Sequence, residues 1–222
     1  MFEKPDYYYQ AVRHDILHLV SPAGKTVLDV GCGGGGTGKA LRDQGAVEVD
    51  GIEYVSEAAE YAAKVLDRVH TGDVATVPLD YPAGHFDIIL FLDVLEHLAY
   101  PEVALKRLVP LLAPDGEIIL SLPNVRYIGT LKQLIIDADW PREVSGVFDG
   151  THLRWFTPKS TRRMLAEFDL EIVKVERHAS RPFTRITERF PSLSRYLSDW
   201  FVAQFVYVIR RRNTQASVTG SK

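Results

Sequence analysis

The sequence predicts one α/β domain built on a doubly wound, mostly parallel sheet. Three observations predict it. Short runs of β-branched and apolar residues alternate with amphipathic or alanine-rich stretches, the pattern of repeated strand–helix units. The first run, TVLDV, feeds a turn with six glycines among the eight residues from Gly31 to Gly38. Residues able to do chemistry then recur just after strands, and in parallel sheets the ligand crevice lies outside the strands' carboxyl ends.

In chain order, YYYQAVRHDILHLV reads as an amphipathic helix with Val12, Ile16, Leu19 and Val20 near one face, a cap within residues 1–22. TVLDVG is a buried strand, and Thr37 is placed to cap a helix running to about Gln44. VEVDGIE is a second strand ending at Glu53, and Ser56 caps the alanine-rich SEAAEYAAKVL. RVHTGDV is a short third strand ending near Asp73. HFDIILFLD is a fourth, apolar on both faces as a central parallel strand requires. Pro101 opens a helix that stops near Pro110. DGEIILSLPN is a turn and fifth strand, followed by an insertion over residues 124–157. FTPKSTRRMLAEF is a helix with Thr157 before Pro158. LEIVKVER and FVAQFVYVIRR are late strands within a domain spanning 1–212, and residues 213–222 form a polar tail expected to be disordered.

The chain has 222 residues, 46% hydrophobic and 25% charged, with a net charge of −3. That balance exerts no global pull on nucleic acid or an anionic membrane. The single cysteine, Cys32, excludes an internal disulfide and suits a reducing cytoplasm. MFEKPDYYYQ lacks an apolar signal core, and the longest apolar run is broken by Asp93, Glu96 and His97, so no membrane span is expected.

The glycine turn fits three nucleotide signatures. A phosphate-binding loop has Lys39 in place, but Ala40 stands where a magnesium-binding hydroxyl belongs. A dinucleotide fingerprint is met by Gly31, Gly33 and Gly36, with Glu53 at the distance of a ribose-binding acid. Asp29 argues against it, because a carboxylate two residues before the first glycine repels a pyrophosphate. The same charge attracts S-adenosylmethionine (SAM), whose ammonium and sulfonium are cationic. Asp29 can also serve as a purely structural acceptor of loop amides.

From about Lys25 to Arg177 the chain resembles the class I SAM-dependent methyltransferases. DVGCGGG, GIEYVSEAAEYA, HTGDV and FDIILFLDVLEHL…LLAPDGEIILSLPN occur in that family's order. The resemblance implies a Rossmann-like sheet of seven strands whose last, FVAQFVYVIRR, is antiparallel. It implies SAM as methyl donor and S-adenosylhomocysteine (SAH) as product. Gly31, Cys32, Gly33 and Gly35 would wrap the cofactor, with Cys32 packing rather than acting as a nucleophile. Glu53 would bind the ribose hydroxyls, although an acid favoured by the following helix dipole is the plainer alternative. Asp73 and Val74 would contact adenine, with Tyr54 flanking it. Leu92 and Asp93 would lie near the methionine moiety.

Methyl transfer from a sulfonium is an in-line displacement, catalysed largely by positioning, and a hydroxyl acceptor gains from a base. His97, in DVLEHL, is the expected base, with a structural Glu96–His97 pair as the alternative. Asp93, Glu96, His97 and His152 also resemble the metal site of small-RNA 2′-O-methyltransferases, with Asp replacing the first Glu; the reading adopted has no metal. Tyr8, Asn124, Arg126, Tyr127, His152, Arg154 and Trp155 are the candidate acceptor residues. SLPNVRYIGTLKQLII…THLRWFTPKSTRRML resembles two groups. One is the methyltransferases of bacterial glycan clusters, which implies O-methylation of a sugar or lipid-linked glycan. The other is the MetW-like proteins, which implies a SAM-fold accessory protein acting through a partner enzyme.

Overall fold

In the computed structural model, which describes residues 11–179 and 198–212, seven strands form one sheet in the order β3-β2-β1-β4-β5-β7-β6. β1 (Thr26–Val30), β2 (Glu48–Glu53), β3 (Arg68–Thr71), β4 (Phe86–Leu92) and β5 (Leu112–Pro123) pair in parallel. β7 (Val202–Arg211) runs antiparallel between β5 and β6 (Leu170–Ala179), as the resemblance implied. The helices are α1 (Gly36–Asp43), α2 (Ser56–Ala62), α3 (Pro101–Leu108), α4 (Ile128–Ile135) and α5 (Pro158–Ala166). None of them is long and apolar enough to cross a membrane.

The apolar runs of β1 and β4, interrupted only by Asp29 and Asp87, arise because both sheet faces are covered. Val27, Ile88 and Leu90 face one core with Leu41 of α1, Ala62 of α2, and Ile16 and Val20 of the N-terminal segment. Leu28, Ile89 and Phe91 face the other, with Leu105 and Leu108 of α3 and Met164 and Leu165 of α5. Alternate residues of one strand thus feed separate cores.

Three local expectations are corrected. Residues 11–22 form no amphipathic helix: their one regular element is a single 3-10 turn at Leu17–Leu19. Ile16 and Val20 are buried as the spacing required, but the Arg13 amide is drawn out of any helical ladder to the Thr37 hydroxyl at 3.1 Å. Thr37 therefore does not cap α1. Gly35 does, at φ +81°, and a Cβ there would come within 2.7 Å of Val65. Ser56 does not cap α2 either: it is the helix's first residue, Val55 holds the cap position, and no side chain caps that end. Thr157 does cap α5 in a reciprocal box: its hydroxyl accepts from the Ser160 amide at 3.1 Å, and its amide donates to Ser160 Oγ at 2.9 Å.

The insertion leaves and rejoins the sheet at one point, the bridge between Asn124 and Phe156. It carries α4 and a loop whose Leu153 and Arg154 amides donate to the Glu96 carbonyl at 2.8 and 3.0 Å. That pair of bonds ties it to the 3-10 turn Leu95–His97, just past β4.

Candidate active site

β1 ends at the glycine loop, where Gly31, Gly33 and Gly35 all hold positive φ. The Gly31 and Cys32 amides donate to the Ile52 carbonyl at 2.7 and 3.1 Å, folding the loop back on β2. Two acids sit beneath it. Asp29 is 2% exposed, and burial, with Glu53 adding to it, pushes its carboxyl up to about 7 against the pull of the Gly38 amide and Arg13. Glu53 is also buried, and its Oε2 and Oε1 accept from the Gly33 and Val55 amides, both at 2.8 Å. Glu53 thus braces the glycine loop and the residue that precedes α2 at once. Burial pushes the Cys32 thiol up, and the sulfur packs over Gly51, so it is a filler and not a thiolate. Lys39 pairs with Asp43, one helical turn on, rather than reaching the loop. Two buried acids and an engaged lysine suit a cationic amino-acid cofactor and oppose a polyphosphate.

β4 is followed directly by Asp93, a non-glycine residue at φ +59°, a conformation that costs energy and recurs at functional sites. Its carboxylate is held from three elements. Arg13 donates to Oδ2, while Ser121 Oγ of β5 donates to Oδ1 at 2.9 Å and Gln204 of β7 also donates there. Arg13 reaches Asp15 as well at 2.8 Å. Arg13, Ser121 and Gln204 were missed from sequence. The lone polar residues interrupting IILSL and FVAQFV were the available signal for two of them; nothing local marks Arg13.

Past Asp93, the 3-10 turn carries Glu96 and His97. The insertion brings His152 against them, with the two imidazoles edge-on at 4.7 Å between centroids. Glu96, His97 and His152 each place a ligand atom within 4.8 Å of the others, a spacing that can hold a cation. Asp93 is not in that trio. His97 Nδ1 lies 3.0 Å from the Thr151 hydroxyl, which lies 2.6 Å from Asp149 Oδ1. Thr151 and Asp149 were also missed.

Asp73 Oδ1 accepts from the Ala75 amide at 2.8 Å in a local turn. The Val74 side chain is buried in the core and its carbonyl accepts from Arg107, so its side chain is not offered to a ligand. Tyr54 is 74% exposed beside Glu53, not a core residue, and Leu92 is half-buried. Asn124 is committed elsewhere: it is buried, its amide nitrogen donates to the Asp199 and Val202 carbonyls at 2.7 and 2.8 Å, and its oxygen accepts from the Arg126 amide at 3.1 Å. It seams β5 to β7 and is spent as an acceptor contact. Arg126 faces Asp199 at 3.9 Å. The Tyr127 ring lies against Gly129, where a Cβ would clash at 2.5 Å. Arg154 donates twice to the Ala99 carbonyl, at 2.8 and 2.6 Å. Trp155 is 44% exposed and edge-on to Trp140. Tyr8 and the tail 213–222 lie outside the described residues.

A seven-stranded sheet with one antiparallel strand, and an acid-floored glycine loop at its carboxyl rim, define a SAM-binding methyltransferase fold. A methyltransferase-domain family model matches residues 2–175, and the chain belongs to that family. It is 28% identical over 197 residues to a ubiquinone biosynthesis O-methyltransferase of Chromobacterium violaceum, covering 82% of this chain and 81% of that protein. It is 32% identical over 123 residues to the Psychrobacter arcticus protein of the same name, covering 52% of this chain and spanning 48% of that protein's length. Among solved structures, the magnesium protoporphyrin IX methyltransferase of Synechocystis PCC 6803 with bound SAH aligns with a TM-score of 0.60 at 18% identity, covering 92% and 83% of the two chains. A Haloferax volcanii putative methyltransferase in complex with the Trm112 activator gives 0.62 at 17%, covering 94% and 90%.

Proposed function

We propose that this chain moves the methyl group of SAM to a hydroxyl of a small-molecule acceptor, with His97 as the base. The carrying observation is His97 itself, on the turn four residues past Asp93, with the hydrogen-bonded pair Thr151 and Asp149 behind it. The relatives' name supports an oxygen acceptor. SAM, when bound, supplies a methyl on an electrophilic sulfonium. Asp29 and Asp93 offer negative charge to the cofactor's ammonium, and Arg13 offers a guanidinium to its carboxylate. Glu53, whose oxygens each accept one loop amide, retains lone pairs for the ribose hydroxyls. Tyr54 and Asp73 flank the adenine, and His97 takes the acceptor's proton on Nε2. His152, Arg154, Tyr127 and Trp155 border the acceptor. A sugar or lipid-linked glycan acceptor rests on the glycan-cluster resemblance alone.

The test is turnover of labelled SAM against phenolic acceptors, nucleotide sugars and lipid-linked glycans. Methylation of any of these supports the reading and names the class. No turnover, while a co-purifying enzyme is activated by this chain, overturns it in favour of an accessory protein; the activator complex of the Haloferax neighbour makes that outcome worth measuring. The Glu96–His97–His152 spacing favours one second reading, in which those three hold a divalent cation that lowers the acceptor hydroxyl's pKa. Retained turnover in a chelator removes it.

A further inference from the structure

We infer that Asp149 and Thr151 are positioning residues that lock His97 in the tautomer carrying its proton on Nδ1. Thr151 Oγ1 lies 2.6 Å from Asp149 Oδ1 and 3.0 Å from His97 Nδ1. A hydroxyl has one proton to donate, and Asp149 Oδ1, which already takes the Thr151 amide proton at 2.9 Å, is placed there as an acceptor. The threonine proton therefore goes to Asp149, and its oxygen faces Nδ1 as an acceptor, so Nδ1 must bear a hydrogen. A second contact leads to the same result independently. The Thr151 carbonyl oxygen lies 3.4 Å from that same Nδ1, and a carbonyl oxygen never donates. In the neutral ring, two acceptors at Nδ1 leave the lone pair on Nε2, the atom that must take a proton or bind a cation.

The backbone holds this chain of bonds rigidly. Asp149 is buried, and its Oδ1 also accepts from the Thr151 amide at 2.9 Å, closing a local turn. The Asp149 amide donates to the Gly146 carbonyl, the Gly150 amide to Glu143, and the His152 amide to Asp149, at 3.1, 2.9 and 3.0 Å. The next two amides, of Leu153 and Arg154, hold the carbonyl of Glu96, the residue adjoining His97. The His152 ring packs edge-on against His97, so the imidazole is fixed in orientation as well as in tautomer. The consequence for turnover rests on His97 acting in the reaction; the tautomer itself does not.

Side-chain ¹⁵N NMR of the intact protein at pH 8 tests the assignment, with His97 signals identified by their loss in His97→Gln. The expected wild-type pattern is a protonated Nδ1 and an unprotonated Nε2. Thr151→Val shifts it toward Nε2–H or an average, Asp149→Asn weakens it, and Thr151→Ser restores it. In steady-state assays, Thr151→Val lowers kcat by about 10- to 100-fold, the usual cost of losing an orienting partner. Its KM for SAM stays within about twofold and Thr151→Ser recovers kcat, a split that general unfolding does not produce. A wild-type spectrum with the proton on Nε2 overturns the proposal, whatever the variants do. An unchanged spectrum in Thr151→Val assigns the lock to the Thr151 carbonyl, which valine keeps, and overturns the role given to the hydroxyl and to Asp149. If the spectra behave as stated while His97→Gln keeps full turnover, the base reading fails and the tautomer lock stands.

Discussion

On the role proposed for Asp29, SAM binding is expected to tighten as pH rises through the acid side of neutrality, because that carboxyl would have to ionise to meet a cation. Burial pushes its folded-state pKa from 3.8 up to about 7. In the empty protein Asp29 is about 3% ionised at pH 5.5 and about half ionised at pH 7, so a cofactor that binds only the carboxylate gains about 15-fold in affinity, roughly 1.6 kcal/mol. That window lies below the range, about 7.7–8.0, where an α-amino group loses its own proton. Isothermal titration at pH 5.5, 6.2 and 7.0, in buffers of differing ionisation enthalpy, reads both the affinity and the proton released on binding. Asp29→Asn binds more weakly at pH 7 and shows neither pH slope nor proton release. The folding sign is opposite. A raised carboxylate pKa contributes stability below 3.8 that is lost as pH rises toward 7, about 4 kcal/mol at most from a shift of this size. The empty Asp29→Asn protein therefore melts higher than wild type at pH 8. A wild-type affinity flat from pH 5.5 to 7, with no proton released, would refute the reasoning that the acid beneath the loop serves a cationic ligand.

Glu53→Ala removes the acceptor of the Gly33 and Val55 amides, and should weaken SAM binding by about 1–3 kcal/mol in the same titration; an unchanged affinity would leave Glu53 a structural brace only. His97→Ala should lower kcat about 10²- to 10⁴-fold with SAM affinity intact, measured by pre-steady-state turnover beside calorimetry. Under the base reading, dialysis against a chelator leaves turnover unchanged, and restoration of lost turnover by a divalent ion would make His97 a ligand. Tyr81→Phe strips the buried Asp50 of the hydroxyl that donates to it, so urea unfolding should show a loss of about 1–3 kcal/mol without altered SAM affinity.

The sequence by itself determined the sheet, the loop and the acids beneath it. Strand runs such as FDIILFL must be buried on both faces, glycines such as Gly35 sit where a side chain would collide, and Asp29 and Glu53 are adjacent to those elements in the chain. Each of these signals is local, so periodicity and turn chemistry expose it. Only the tertiary structure decided who reaches Asp93 and His97. Arg13 crosses from the N-terminal segment to Asp93, and Gln204 arrives at the same carboxylate from the antiparallel strand. Thr151 meets an imidazole 54 residues earlier, and Asn124, which looked free to greet an acceptor, is consumed in seaming two strands. The physical reason is that a side-chain hydrogen bond depends on distance and angle in space, and those are set by strand order and by where the insertion docks rather than by neighbours in the chain.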